Sequence, residues 1–228
     1  MCFSASASFI AGTTLCIIGV ATLKKTKSVT EQPFAVIPVL FGIQQLTEGV
    51  IWLTFRHEVP VLKQTMTFIY SIFSHVLWPI YVPIAIGVME AIRWRRKAIF
   101  VFGIAGVMVG LYLLYFLVNG PLVAEVVGKH IVYVSPHFYT IPVMVLYLAA
   151  TCFSCFFSSH VFVKLFGGLM LLSFITAYLV HIKALVSIWC FFAAILSLLI
   201  YLHFRFRDRG WAQRNLPVLP DFNKSHPA

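Results

Sequence analysis

Long uncharged runs separated by short charged clusters make up most of this chain. Met1–Leu23, Gln64–Met89, Ala98–Ala124, Ile131–Val163, Leu165–Ile182 and Ala184–Phe204 carry no Asp, Glu, Lys or Arg, and Gln32–Phe55 is broken only by Glu48. A helix needs about 20 such residues to cross a bilayer. The pattern predicts seven of them, over residues 6–23, 33–55, 65–90, 98–118, 138–158, 161–182 and 185–204. The fold class is therefore all-α: a seven-transmembrane-helix bundle filling residues 1–204, followed by a basic tail over 205–228. Asn119–His137 reads as the only long loop.

Composition sharpens this picture: 61% of residues are hydrophobic, 11% are charged and the formal net charge is +10. That charge does not indicate a nucleic-acid partner, because the basic residues alternate between ends as a membrane topology requires. Placing the N-terminus outside puts 13 of the 17 Lys and Arg residues at cytoplasmic ends, leaving only Arg56, Lys63, Lys129 and Lys183 outside. Cytoplasmic loops carry such an excess, so the chain is expected to run N-terminus out and C-terminus in. The tail "HFRFRDRGWAQR" then faces anionic lipid, the expected partner there besides the bilayer itself. The opening "MCFSASASF" lacks a basic n-region and reads as a retained helix, not a cleaved signal peptide.

Against this background the polar residues inside helices stand out. A carboxylate at mid-membrane costs about 2.5–3.5 kcal/mol on insertion scales, which makes Glu48 a candidate functional group. Gln44 and Trp52 flank it at helical spacing. His75 lies at a matching depth on the next helix, with Ser71 and Trp78 on its face, so a Glu48–His75 pair across an antiparallel hairpin is expected. Ser187, Trp189 and Cys190 open helix seven at the same end, and a stripe of Ser187, Cys190, Ala194, Ser197 and Tyr201 runs down it. Small or polar stripes of this kind face other helices. His137, Tyr139 and His181 join the same side. Pro79 and Pro83 remove backbone donors from helix three and predict a kink just inward of His75.

The candidate ligand-binding set is thus Gln44, Glu48, His75, Trp52, Trp78, Ser187 and Trp189, an outward-facing polar pocket that binds or moves a small solute, ion or proton. The alternative is a metal site or metal-dependent hydrolase, with Glu48, His75, His181, Cys190 and Cys2 as ligands, because imidazole and thiolate suit zinc or copper. A structural or assembly subunit is the third reading. Cys152 and Cys155 have C-x-x-C spacing, but lie in an apolar helix with no βαβ context, and read as packing residues.

"MCFSASASF", "QQLTEGVIW", "SHVLWP" and "SIWCFFAA" together resemble an uncharacterised family of bacterial multi-pass membrane proteins whose members begin with MCFSA. The resemblance implies a protein of the bacterial inner membrane, implies no activity, and directs attention to Cys2, Glu48, His75, Trp189 and Cys190. A thinner similarity is to the seven-helix zinc-dependent membrane hydrolases that include alkaline ceramidases. Helix number and orientation agree, but this sequence has no H-x-x-x-H and no Asp in any predicted helix. Retinal proteins share the helix number, yet the Schiff-base lysine expected in the middle of helix seven is missing.

Overall fold

The computed structural model describes residues 4–57, 59–128, 130–134, 136–181 and 184–214. Its helices are α1 (Ala5–Leu23), α2 (Val29–His57), α3 (Pro60–Met89), α4 (Arg93–Asn119), α5 (Ile141–Phe156), α6 (Val161–His181) and α7 (Leu185–Leu196, resuming after Ser197 as Leu198–Arg214). Six of these are long and apolar enough to cross a membrane; α5 is shorter. The helix expected over 138–158 begins late because Pro136–Tyr139 forms a separate 3-10 turn. Thr140 is extended, and Pro142 sits in the first turn of α5, where its missing N–H costs nothing.

Local chemistry marks some of the helix ends. The Ser4 hydroxyl accepts the Ala7 N–H at 3.2 Å to cap α1. The Glu31 carboxylate accepts the Lys27 N–H at 2.8 Å in the turn that starts α2, and Pro33 lies near its beginning. The Asn119 side-chain amide donates to the Tyr115 carbonyl at 2.9 Å as α4 gives way to Gly120.

Neighbours in sequence are neighbours in space. α1 packs on α2 and α7, α4 on α3 and α5, and α6 on α5 and α7, so the bundle closes as a ring. Short-range approach comes from glycine at two seams. A Cβ on Gly42 would lie 2.6 Å from Cys16 Sγ and 2.8 Å from the Gly12 carbonyl, so α1 and α2 touch backbone to backbone there. A Cβ on Gly106 would lie 1.9 Å from the Pro79 carbonyl oxygen, which only glycine permits.

The predicted disturbance in α3 takes the form of a π-helical turn over Ile72–Leu77, and α5 has a second one over Ala149–Phe153. Proline supplies the cause in α3: Pro79 and Pro83 have no N–H, so the ladder cannot continue with i→i−4 bonds, and the backbone widens. Ala150, from the second wide turn, lies 3.1 Å from the same Gly106 position. The two disturbed stretches therefore meet across α4.

The expected loop is in fact an antiparallel hairpin, β1 (Val123–Val127) and β2 (His130–Val134), with Gly128 at φ +64° carrying the turn. Ala124, Ile131 and Tyr133 are buried, at 1%, 0% and 1% exposure. β1 packs against the start of α3 and β2 against α7, so the hairpin plugs one end of the ring. The basic clusters after α1, at the start of α4 and along the last part of α7 all lie at the other end.

Candidate functional site

Glu48 lies in α2 with no exposed surface. Its Oε1 accepts the Ser187 hydroxyl at 2.8 Å, from α7, and the Tyr133 hydroxyl at a longer 3.4 Å, from β2. These donors are 139 and 85 residues away in the chain, so the carboxyl ties together three elements that sequence distance keeps apart. Tyr133 is held in place by its ring, stacked on Tyr70 of α3 at 4.3 Å between centroids and 9° between planes. The hairpin thus delivers a hydroxyl into the bundle on a rigid aromatic support.

Around this centre the other predicted residues take separate roles. Trp78 Nε1 donates to Gln44 Oε1 at 2.7 Å, and its indole stacks on Phe41 at 3.9 Å. Cys190 is a buried free thiol in α7, three residues after Ser187. Trp189 turns away, donating to the Met170 carbonyl at 3.0 Å and fixing α7 to α6. Trp52 packs on Phe55 at 6.3 Å and leaves its Nε1 without a hydrogen-bond partner among the described residues. Along the α7 stripe, Ser187, Cys190, Ala194 and Ser197 are buried, and Tyr201 is half-buried with the Lys25 ammonium 5.7 Å from its ring centre.

The expected Glu48–His75 pair does not form. His75 is fully buried in the wide turn of α3, with Nδ1 2.8 Å from Ser74 Oγ, and its ring meets Phe138 edge-on at 5.0 Å. His75 Nε2 has no hydrogen-bond partner among the described residues. The same wide turn gives up the Ser74 carbonyl to the Tyr147 hydroxyl of α5. His137 is outside the cluster too, its ring stacked 3.5 Å from Phe116. Cys2 and the side chains of Tyr139 and His181 lie outside the described residues. Among the described residues no three His, Cys, Asp or Glu side chains converge as a metal site would need. Cys152 and Cys155 are free, buried thiols, the latter donating to the Thr151 carbonyl at 3.3 Å.

Beyond Cys190 lies a small cavity, walled by Phe41, Trp78, Tyr147, Trp189 and Cys190 among others, of about 20 Å³. That is room for about one water molecule. Buried polar atoms crowd the same part of the bundle: besides His75 Nε2 and Trp52 Nε1, both amide atoms of Gln45 and the Ser71 hydroxyl are enclosed and unbonded among the described residues. Buried groups of this kind are normally satisfied by protein or ordered water. Sequence reasoning missed Tyr133 and Tyr70 altogether. The alternation in "KHIVYV" after Gly128 was the available signal.

These features define the class: an all-α protein with six helices of membrane length and a carboxyl buried among hydroxyls in its interior. The chain belongs to a family of unknown function, DUF6629, whose model matches residues 1–215. No curated protein and no solved structure matches it.

Proposed function

We propose that this is an integral protein of a bacterial inner membrane, with seven crossings, its N-terminus and hairpin outside and its basic end in the cytoplasm. In this reading Glu48 is a site that takes up and releases a proton or a small cation from the outer side. The observation that carries it is the complete burial of the Glu48 carboxyl against Ser187 and Tyr133, three elements converging on one ionisable group. Ionisable groups this deep in a helical bundle mark ion or proton paths, because keeping one otherwise only costs stability.

The 13-to-4 division of basic residues supports the orientation. With the bilayer as solvent, the short α5 is accommodated because its neighbours α4 and α6 flank it and the turn Pro136–Tyr139 packs on its outer end. The lipid bilayer is the partner throughout, with anionic lipid at the cytoplasmic tail.

Proteoliposomes holding a trapped pH dye test this function. An outward-directed gradient of sodium or potassium should drive a pH change in wild-type vesicles that Glu48→Gln abolishes. Equal signals from both proteins, with both fully reconstituted, reject Glu48 as the exchanging group.

A further inference from the structure

On the outside of the bundle, a groove of about 350 Å³ runs between α3 and α4, walled by Ile84, Phe100, Gly103, Ile104, Val107 and Met108. Every one of these residues is apolar. The groove exists because Gly103 has no side chain: a Cβ placed there would have Pro83 Cβ as its nearest neighbour, at 3.7 Å, and would otherwise point into the open channel.

The sequence of α4 continues this face straight into its basic first turns. Arg96, Phe100, Gly103 and Val107 follow one another at steps of four, three and four, and Lys97, Ile104 and Met108 at seven and four, so two cations head the α4 side of the groove. From Lys97 to Met108 the helix rises about 16 Å, close to the ~15 Å depth of one leaflet.

The charges at this end need an anion. "RWRRK" places four cations in the first turns of α4, where the helix dipole is also positive, and no acidic residue stands there to balance them. The nearby Glu90 carboxylate is committed elsewhere, accepting the Ile92 N–H at 3.1 Å, the Ser159 N–H at 2.6 Å and the Ser158 hydroxyl at 3.4 Å. Arg95 is committed as well, donating to the Phe157 and Ser158 carbonyls at 3.3 and 3.2 Å. Arg93, Arg96 and Lys97 are exposed and form no ion pair or hydrogen bond through their side chains among the described residues. Trp94, 60% exposed beside them, is the side chain expected at the level of lipid headgroups.

We propose that this groove binds an anionic glycerophospholipid of the leaflet at the basic end, one acyl chain lying along Phe100–Met108 and the phosphate against Arg96 and Lys97. Its charge separates it from the zwitterionic lipid around it, and the apolar groove gives this basic cluster a place for an acyl chain. The proposal rests on the membrane-spanning reading and is independent of ion exchange at Glu48.

Detergent-purified full-length protein, stripped of lipid, is titrated with phosphatidylglycerol and with phosphatidylcholine, and bound lipid is counted by native mass spectrometry. Wild type should retain phosphatidylglycerol several-fold better. The Arg96→Gln/Lys97→Gln double variant should lose the preference, and Gly103→Leu should lose the bound lipid by filling the groove. Gly168→Leu is the control, since a Cβ there also meets only ordinary contacts, at 3.8 Å, and it should bind as wild type does. Equal binding of the two lipids by wild type, or an undiminished preference in either groove variant, overturns the proposal. Glu48→Gln should keep the lipid preference whatever it does to ion exchange, so the two readings fail separately.

Discussion

At the scale of single residues, Glu48 accepts from donors of unequal quality, two of them Ser187 and Tyr133. The Ser187 bond, at 2.8 Å, is short and the Tyr133 bond, at 3.4 Å, is long. A hydrogen bond contributes about 0.5–1.5 kcal/mol net when well formed. Ser187→Ala should therefore destabilise the protein by about that much in thermal unfolding in detergent, and Tyr133→Phe by less, since the stacked ring on Tyr70 remains. A larger loss in Tyr133→Phe would show that the hydroxyl matters more than its distance implies. Glu48→Leu should lower stability more than Glu48→Gln, because leucine removes the acceptor of the Ser187 and Tyr133 hydroxyl bonds, each worth about 0.5–1.5 kcal/mol, whereas an amide oxygen still accepts them. The importance of Glu48 is legible in the sequence, as a lone carboxylate in an apolar run. Its partners are not, because depth along a helix says nothing about which way a side chain points once a wide turn has altered the spacing. His75 has the right depth and still meets Ser74 and Phe138 instead.

At the scale of elements, hydropathy located the helices well because each is a single apolar run ended by charge, proline or glycine. The hairpin was hidden for the converse reason. Ten ladder residues of "VAEVV" and "HIVYV" are too few to announce a sheet beside seven long helices, and only Ala124, Ile131 and Tyr133 betray an inward face. The glycines of α4 divide sharply by what surrounds them. Gly106 faces the Pro79 carbonyl, so Gly106→Ala should overpack the seam and cost about 1–3 kcal/mol. Gly103→Ala meets nothing closer than 3.7 Å and should be neutral or gain about 0.5–1 kcal/mol of helix stability. Thermal unfolding of the two variants side by side checks both, and a similar loss in each would contradict the described seam. Where α3 turns into α4, burial pushes the Glu90 carboxyl upward, but the N–H groups of Ser159 and Ile92 and the nearby His160 outweigh it and hold its pKa below the ordinary value. The lowered folded-state value means that Glu90 supports the fold above its unfolded pKa and loses that support as pH falls through the folded one. Acid unfolding curves should therefore be flatter in Glu90→Gln than in wild type; superimposable curves would remove Glu90 from this role.

At the scale of the whole molecule, the ring of helices has one end stoppered by a hairpin and the other lined with cations. Reporters fused after residues 24, 94 or 210 should read cytoplasmic, and those near 60 or 125 external; the reverse pattern would put the hairpin and the approach to Glu48 on the cytoplasmic side. The charge asymmetry behind this expectation was plain in the sequence, since it requires only counting. What closes over the carboxyl was not, since it depends on a tertiary contact between residues 133 and 48. Infrared difference spectroscopy of oriented, reconstituted protein, with the pH stepped on one side of the membrane at a time, decides whether the exchange proposed at Glu48 opens to the hairpin side. A protonated-carboxyl stretch should respond to acidification of the hairpin side, shift in Ser187→Ala, and be absent from Glu48→Gln. A Glu48 carboxyl band that responds only from the basic side, or an identical spectrum in Glu48→Gln, would contradict the proposal.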